Sequence, residues 1–93
     1  MAVQKKRPVT VNALGVSAKA DPDGLDDYDL FEVISEYGAM SFEAFEAMGK
    51  ALFGEGGWKD VKDGLREDGG KLKLSRVGEF IDEVATQLNA LKN

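Results

Sequence analysis

The 93-residue sequence contains no cysteine, no histidine and only two prolines. Without cysteine, the chain has no disulfide, no thiolate metal site and no thiol nucleophile. Without histidine, it lacks the commonest general base and the commonest ligand of transition metals. Its carboxylates are spaced as on solvated helix faces, and nothing suggests that they share a pocket. We therefore expect a protein that is not an enzyme, with no catalytic residue, cofactor, metal ion or small-molecule substrate.

Positive charge is scarce, and it is concentrated at one end of the chain. The formal net charge is −5, from 17 acidic and 12 basic residues. Residues 1–20 contain no acid and have a charge of +4 from Lys5, Lys6, Arg7 and Lys19, whereas residues 21–93 have a charge of −9. Such an acidic region repels phosphate groups, so we expect no binding of nucleic acid.

Long apolar runs are also missing. No stretch approaches the roughly 20 apolar residues that a membrane-spanning helix needs. The basic start of the chain, followed by an apolar stretch at residues 9–16, has the outline of a secretory leader. However, Pro8, Thr10, Asn12 and Gly15 interrupt that stretch. We expect neither a secretory leader nor a contact with a membrane.

The first quarter of the chain predicts an N-terminal arm. Residues 8–11 favour extended backbone, because three of them are β-branched and Pro8 has no N–H to donate. Residues 20–24 contain two aspartates, a proline and a glycine, which is typical of a turn. The sequence therefore predicts a basic arm at residues 1–24, extended or flexible, and a helical domain at residues 25–93.

Apolar spacing and capping residues predict four helices in that domain. Gly38 and Gly54 would end the first two helices, and Ser41 and Ser75 would cap the second and the fourth. The predicted fold is all-α, a small bundle of about four helices with an extended N-terminal arm. The four helices are expected at about residues 26–37, 41–53, 58–67 and 75–91. The predicted core residues are Phe31, Ile34, Phe45, Leu52, Trp58, Leu65, Phe80, Ile81 and Val84.

The last helix has the most regular apolar stripe in the chain. Its apolar residues follow one another at steps of three and four, which places them on one helix face. The stripe covers about two and a half heptads, which is short for an independent coiled coil. We expect most of the stripe to lie in the core, and its end at Leu88 and Leu91 to remain free for assembly, including a homo-oligomer.

One segment has the outline of a calcium-binding loop. Asp21, Asp23 and Glu32 occupy the first, third and twelfth positions of such a loop. The fifth position is Leu25, which offers no side-chain oxygen, and the sixth is Asp26 where a glycine is needed. The segment is therefore interpreted as a turn followed by an acidic helix start, without a metal site.

The order of these features resembles a known family. An acidic amphipathic helix, DDYDLFE at residues 26–32, is followed by a helix that ends in ALFG at residues 51–54. Next come EGGW at residues 55–58, VKDGLREDGG at residues 61–70 and a last helix with LSRVGEF at residues 74–80. Over about residues 26–91, the sequence resembles the small tail assembly chaperones of long-tailed, noncontractile phages.

This resemblance implies a mostly helical protein without enzymatic activity, in the cytoplasm of the bacterial host cell. It implies that the protein binds the tape measure protein, keeps it soluble and helps to recruit tail tube protein. The acidic first helix and the exposed end of the last stripe are then the candidate partner-binding regions. Their residues are Asp26, Asp27, Asp29, Glu32, Leu88 and Leu91.

Two other functions remain open at this point. The excess of carboxylates is compatible with an acidic regulatory binding module, such as an inhibitor that imitates nucleic acid and binds a nucleic-acid-binding protein. The opposite charges of the arm and of the rest of the chain are compatible with a structural virion component. In such a component, the arm of one subunit would dock on the acidic region of its neighbour.

Overall fold

The computed structural model describes residues 8–91, which form one antiparallel hairpin and three helices. The all-α prediction, with about four helices and an extended arm, is therefore wrong. Where the arm was expected, two strands pair with each other; the three basic residues at positions 5–7 lie outside the described residues. The elements in chain order are β1 (Val9–Ala13), β2 (Val16–Ala20), α1 (Tyr28–Tyr37), α2 (Phe42–Leu65) and α3 (Leu74–Leu91).

The hairpin is built on a two-residue turn. β1 and β2 pair in register from Val9 opposite Ala20 to Ala13 opposite Val16. The turn residue Leu14 has φ 50° and the next residue, a glycine, has φ 79°. Two successive positive φ angles give the turn the same sense of twist as its strands. The strands alternate, so that one face of the hairpin is apolar and the other is polar and exposed.

The apolar face of the hairpin is part of the protein core. Val11, Ala13 and Ala20 are buried in one cluster with residues of α2 and α3. On the α3 side, Asn12 donates its backbone N–H to Gln87 Oε1 at 3.4 Å and accepts from Gln87 Nε2 at 2.6 Å. The side-chain amide of Gln87 thus satisfies backbone groups at the outer edge of β1, which would otherwise be open to a further strand.

Helix α1 begins and ends at capping residues. Asp27 is the N-cap, and its carboxylate accepts hydrogen bonds from the backbone N–H groups of Asp29 and Leu30 at 2.8 and 3.4 Å. Gly38 ends the helix with φ 90°, and its N–H donates to Ile34 O at 2.8 Å. The predicted glycine stop is therefore confirmed.

Only a narrow side of α1 is turned toward the rest of the protein. Leu30 is its one buried residue, and Val33 and Ile34 are half-buried. These three follow helical spacing, whereas Phe31 is rotated by about 100° from Leu30 around the helix axis. Phe31 is 62% exposed, so its predicted place in the core is wrong.

Helix α2 is sharply broken at Gly54. This residue has φ 75° and ψ 168°, which is not helical and which a residue with a Cβ rarely adopts. Lys62 Nζ nevertheless lies 3.2 Å from Glu46 Oε2, although these residues would be about 24 Å apart along a straight helix. The two halves of α2 therefore fold back on each other. They correspond to the second and third helices expected from the sequence.

The core is centred on Trp58, which follows the break in α2. The Trp58 ring stacks on the Phe53 ring, with 6.1 Å between ring centroids and 7° between the planes. The ring centroids of Phe53 and Phe80 are 5.8 Å apart. The predicted core positions that are buried are Phe45, Leu52, Trp58, Leu65, Phe80, Ile81 and Val84. Val77 of the apolar stripe is buried in the same cluster, as expected, and so are three larger apolar residues that were not predicted there, Val11, Val61 and Leu88.

Helix α3 contacts both the hairpin and the end of α2. It begins at Leu74, so Ser75 lies inside the helix and the predicted cap at Ser75 is wrong. Arg76 Nε donates to Leu65 O at 2.9 Å, and Arg76 Nη2 donates to Leu14 O at 3.3 Å. One guanidinium thus satisfies a carbonyl at the C-terminus of α2 and another at the hairpin turn.

Candidate protein-binding surface

Large apolar side chains remain exposed along one part of the chain. Among residues 8–91, seven such residues are more than half exposed, and five of them lie between residues 28 and 42. That segment comprises α1, the loop after it and the first residue of α2. A concentration of exposed apolar side chains is typical of a surface that binds another protein. The seven residues are Tyr28, Phe31, Tyr37, Met40, Phe42, Leu74 and Leu91.

Two aromatic rings lie together on the outer side of α1. Tyr28 is 74% exposed and Phe31 is 62% exposed, and their ring centroids are 6.2 Å apart. Their spacing of three residues places both on the side of the helix opposite Val33. We call these two residues the aromatic pair. Nothing in the described part of the chain covers them, so they are available to a partner.

The acidic residues predicted as partner-binding are exposed around the same helix. Asp26, Asp27, Asp29 and Glu32 are all exposed. Asp27 also has a structural role, because it caps the helix. Glu32 follows Tyr28 by four residues, which puts its carboxylate on the same helix face as the aromatic pair. Glu32 therefore shares a surface with the aromatic pair, whereas Asp27 and Asp29 lie beside Leu30 and Val33, on the side of α1 next to α2.

The two leucines predicted at the end of α3 lie in different environments. Leu88 is 4% exposed and belongs to the core cluster, whereas Leu91 is 63% exposed. The hairpin packs against this part of α3, where Gln87 contacts Asn12. Leu91 alone therefore remains free at the end of the stripe.

A second apolar feature lies between α3 and the start of α2. It is an open groove of about 650 Å³. On the α3 side it is lined by Ser75, Gly78 and Ala85, and on the other side by Met40, Phe45 and Met48. Glu79 and Asp82 of α3 supply the charged groups of its lining. We call this feature the α3 groove, and it was not predicted from the sequence.

Two residues on one wall of this groove, Met40 and Phe45, belong to a sequence pattern that marks the start of α2. Ser41 is the N-cap of α2, and its Oγ accepts from Ala44 N at 3.0 Å, which confirms the predicted cap. Met40 precedes the cap, and Phe45 is the fourth residue of the helix after it. An apolar pair at these two positions is the hydrophobic staple. Both residues approach Gly78, as expected of a pair held together at a helix start.

A partly buried carboxylate lies at the fold of α2. Glu46 accepts from Trp58 Nε1 at 2.7 Å and from Lys62 Nζ at 3.2 Å. Lys62 Nζ is also 5.6 Å from the centroid of the Trp58 ring. Burial raises the pKa of Glu46, but the hydrogen bonds from Trp58 and Lys62 and the charges of Lys62 and Lys50 outweigh this, so its pKa is lowered. The network holds the two halves of α2 together.

We expect Glu46→Gln to remove an acid-dependent part of the stability. The lowered pKa means that ionised Glu46 stabilises the folded state above its usual pKa of 4.5, and that this stabilisation is lost as the pH falls through the folded-state pKa. Urea unfolding at pH 7 should show wild type more stable than Glu46→Gln, and the difference should shrink at pH 3. Glu83→Gln, at an exposed position of α3, is the matched control. An equal difference at both pH values would contradict this role of the charge.

Other kinds of site are not visible among residues 8–91. No group of three or more carboxylates in this range is placed to hold a metal ion. None of its three helices has the length and apolar character needed to cross a membrane. Comparisons of the chain with protein-family models, curated proteins and solved structures find no match. The exposed apolar residues are thus the feature on which a functional proposal can rest.

Proposed function

We propose that this protein is a tail assembly chaperone without enzymatic activity. It binds the tape measure protein, keeps it soluble and helps to recruit tail tube protein in the cytoplasm of the bacterial host cell. The observation that supports this most is the group of five exposed large apolar residues between positions 28 and 42. They lie on a chain that is otherwise strongly charged, with 31% charged residues.

The combination suits a protein that shields a client. A long helical client exposes apolar stripes that aggregate when nothing covers them. The aromatic pair and the α3 groove offer apolar area to such a stripe, and the net charge of −5 favours solubility of the complex. Binding through exposed side chains needs no rearrangement of the core around Trp58.

Co-expression with a candidate tape measure protein tests this proposal. We expect the client to be soluble with the wild-type protein and insoluble without it. Tyr28→Ser combined with Phe31→Ser should reduce the soluble client at least about threefold, because it removes the apolar area of the aromatic pair without touching the core. Thr10→Ser combined with Lys19→Ala, on the exposed face of the hairpin, is the control and should act as wild type.

The outcomes separate the candidate functions. Equal solubility of the client with and without the protein would contradict the proposal. Salt-sensitive binding to a basic nucleic-acid-binding protein, without any effect on the client, would support an acidic inhibitor instead.

A further inference from the structure

Three of the six α3 residues that line the α3 groove are small, and the other three are Glu79, Ile81 and Asp82. Ser75, Gly78 and Ala85 are at spacings of three and seven residues, which places them on one face of α3. A Cβ added at Gly78 would meet Phe45 Cζ at 3.4 Å and Met40 Cε at 3.8 Å, which are ordinary contacts. Gly78 thus lies beside the ends of Phe45 and Met40, with room for a methyl group between them and α3.

The dimensions of the groove suit a helix. From Ser75 to Ala85, α3 rises by about 15 Å, which equals about three turns of a second helix laid along it. Small residues on one helix allow a second helix to approach closely. The opposite wall contains Met40 and Met48, whose flexible thioether side chains adapt to different apolar surfaces.

The charges of the groove have one sign. Glu79 and Asp82 are its charged lining residues, and no lysine or arginine among residues 8–91 forms an ion pair with either of them. An apolar groove with unpaired carboxylates at its edge is complementary to an apolar stripe that is flanked by cations. The groove should therefore prefer a helix with cations beside its apolar stripe over a purely apolar helix.

We propose that the α3 groove binds one amphipathic helix of the client, with lysine or arginine beside its apolar stripe. This inference rests on the proposed function and specifies which part of the client is recognised. Apolar contacts with Met40, Phe45 and Met48 give affinity, and Glu79 and Asp82 select for the basic flanks.

Helices α1 and α3 of a second copy fit the groove poorly. The charged residues of α1 are Asp29, Glu32 and Glu36, all of them acidic. The single basic residue of α3 is Arg76, which is already bound to two backbone carbonyls of its own chain. Either helix of a second copy would bring carboxylates toward Glu79 and Asp82, so like charges would oppose self-association.

Binding of model peptides tests the groove directly. The probe is a fluorescein-labelled amphipathic Leu/Lys peptide of about 18 residues, measured by fluorescence anisotropy. Gly78→Leu should weaken binding at least about tenfold, because the leucine side chain occupies the groove. Gly78→Ala, the matched control, should stay within about threefold of wild type, since a methyl group fits the space. Urea unfolding of both variants shows whether the fold is retained, because the leucine side chain also lies beside the buried Phe45. The charge variant described next tests the groove without any change at Gly78.

A double substitution tests whether the groove prefers a basic helix. Glu79→Lys combined with Asp82→Lys should weaken binding of the Leu/Lys peptide and strengthen binding of a Leu/Glu peptide, each about tenfold at low salt. Binding of the Leu/Lys peptide by Gly78→Leu as tightly as by wild type would overturn the inference. A sequence-scrambled Leu/Lys peptide that binds equally well would also overturn it. So would a wild-type dimer that Gly78→Leu abolishes, because the groove would then bind a second copy.

The co-expression assay separates this inference from the proposed function. If wild type and Gly78→Leu keep the tape measure protein equally soluble, the groove inference fails and the proposed function stands. If wild type binds the Leu/Lys peptide with the expected variant effects but leaves the tape measure protein insoluble, the proposed function fails. The groove then remains a helix-binding site for a different client.

Discussion

Replacing Gly49 by alanine should destabilise the protein by about 3 kcal/mol, at the upper end of what overpacking usually costs. A Cβ at this position would overlap Cδ2 and Cε2 of the Trp58 ring. The ring cannot move away easily, because its Nε1 is bound to Glu46 and its face is stacked on Phe53. The clash should outweigh the gain of about 1 kcal/mol that alanine brings to a helix interior.

Gly56→Ala is the matched control for this substitution. Gly56 is also in α2, and a Cβ there would meet no other atom within 4 Å. The same change should therefore stabilise the protein by up to about 1 kcal/mol. Urea unfolding of both variants measures the difference. If Gly49→Ala were as stable as Gly56→Ala, the close packing of the two halves of α2 would be contradicted.

Leu88→Asp should destabilise the protein by about 4 kcal/mol, whereas Leu91→Asp should change its stability by no more than about 0.5 kcal/mol. Leu88 is 4% exposed and lies in the core cluster beneath the hairpin, but Leu91 is 63% exposed. A carboxylate at position 88 would be buried without a partner. Both changes put a negative charge in the last turns of α3, so the effect of the helix dipole is similar in the two variants.

Thermal unfolding and size-exclusion chromatography of these two variants separate folding from assembly. Loss of folding in Leu88→Asp, with a native Leu91→Asp, agrees with the structure. A folded Leu88→Asp variant whose only change is reduced self-association would contradict it. That outcome would support the sequence-based expectation that both leucines belong to an assembly surface.

The helical elements could be predicted because their signals are local. Ser41 and Gly38 have their capping roles, and the residues of α3 from Val77 to Val84 are buried at helical spacing. The break at Gly54 was also visible in the sequence. Antiparallel packing of the two halves of α2 could be expected from their short connection. The contact between Glu46 and Lys62 could not, because it links residues 16 positions apart.

The hairpin was missed because its signals are weak. Each strand has five residues, and three of the inward-facing positions are alanines, which have little preference for strands. Its turn is Leu14-Gly15, without the asparagine or aspartate that usually marks such a turn. The prediction that Leu88 is free for assembly was wrong for the same reason. The hairpin packs against the last turns of α3, and Leu88 is buried there.

The candidate site was only partly predictable for a similar reason. The four predicted acidic residues at the start of α1 are close together in the sequence, so their exposure at one end of the helix was evident. The α3 groove, in contrast, combines Met40 of a loop with Gly78 of a distant helix. Only the staple between Met40 and Phe45 had a local signal, and nothing in the sequence placed it opposite α3.

Methyl NMR of the protein during titration with a helical fragment of the tape measure protein tests the central claim most directly. Met40 and Met48 line the α3 groove, and Ala18 lies on the hairpin among a different set of residues. We predict saturable shifts of the Met40 and Met48 methyl signals while the Ala18 methyl signal stays unchanged. Unchanged methionine signals at saturating fragment, or shifts confined to the hairpin, would contradict the claim that the exposed apolar surface beside α3 binds the client.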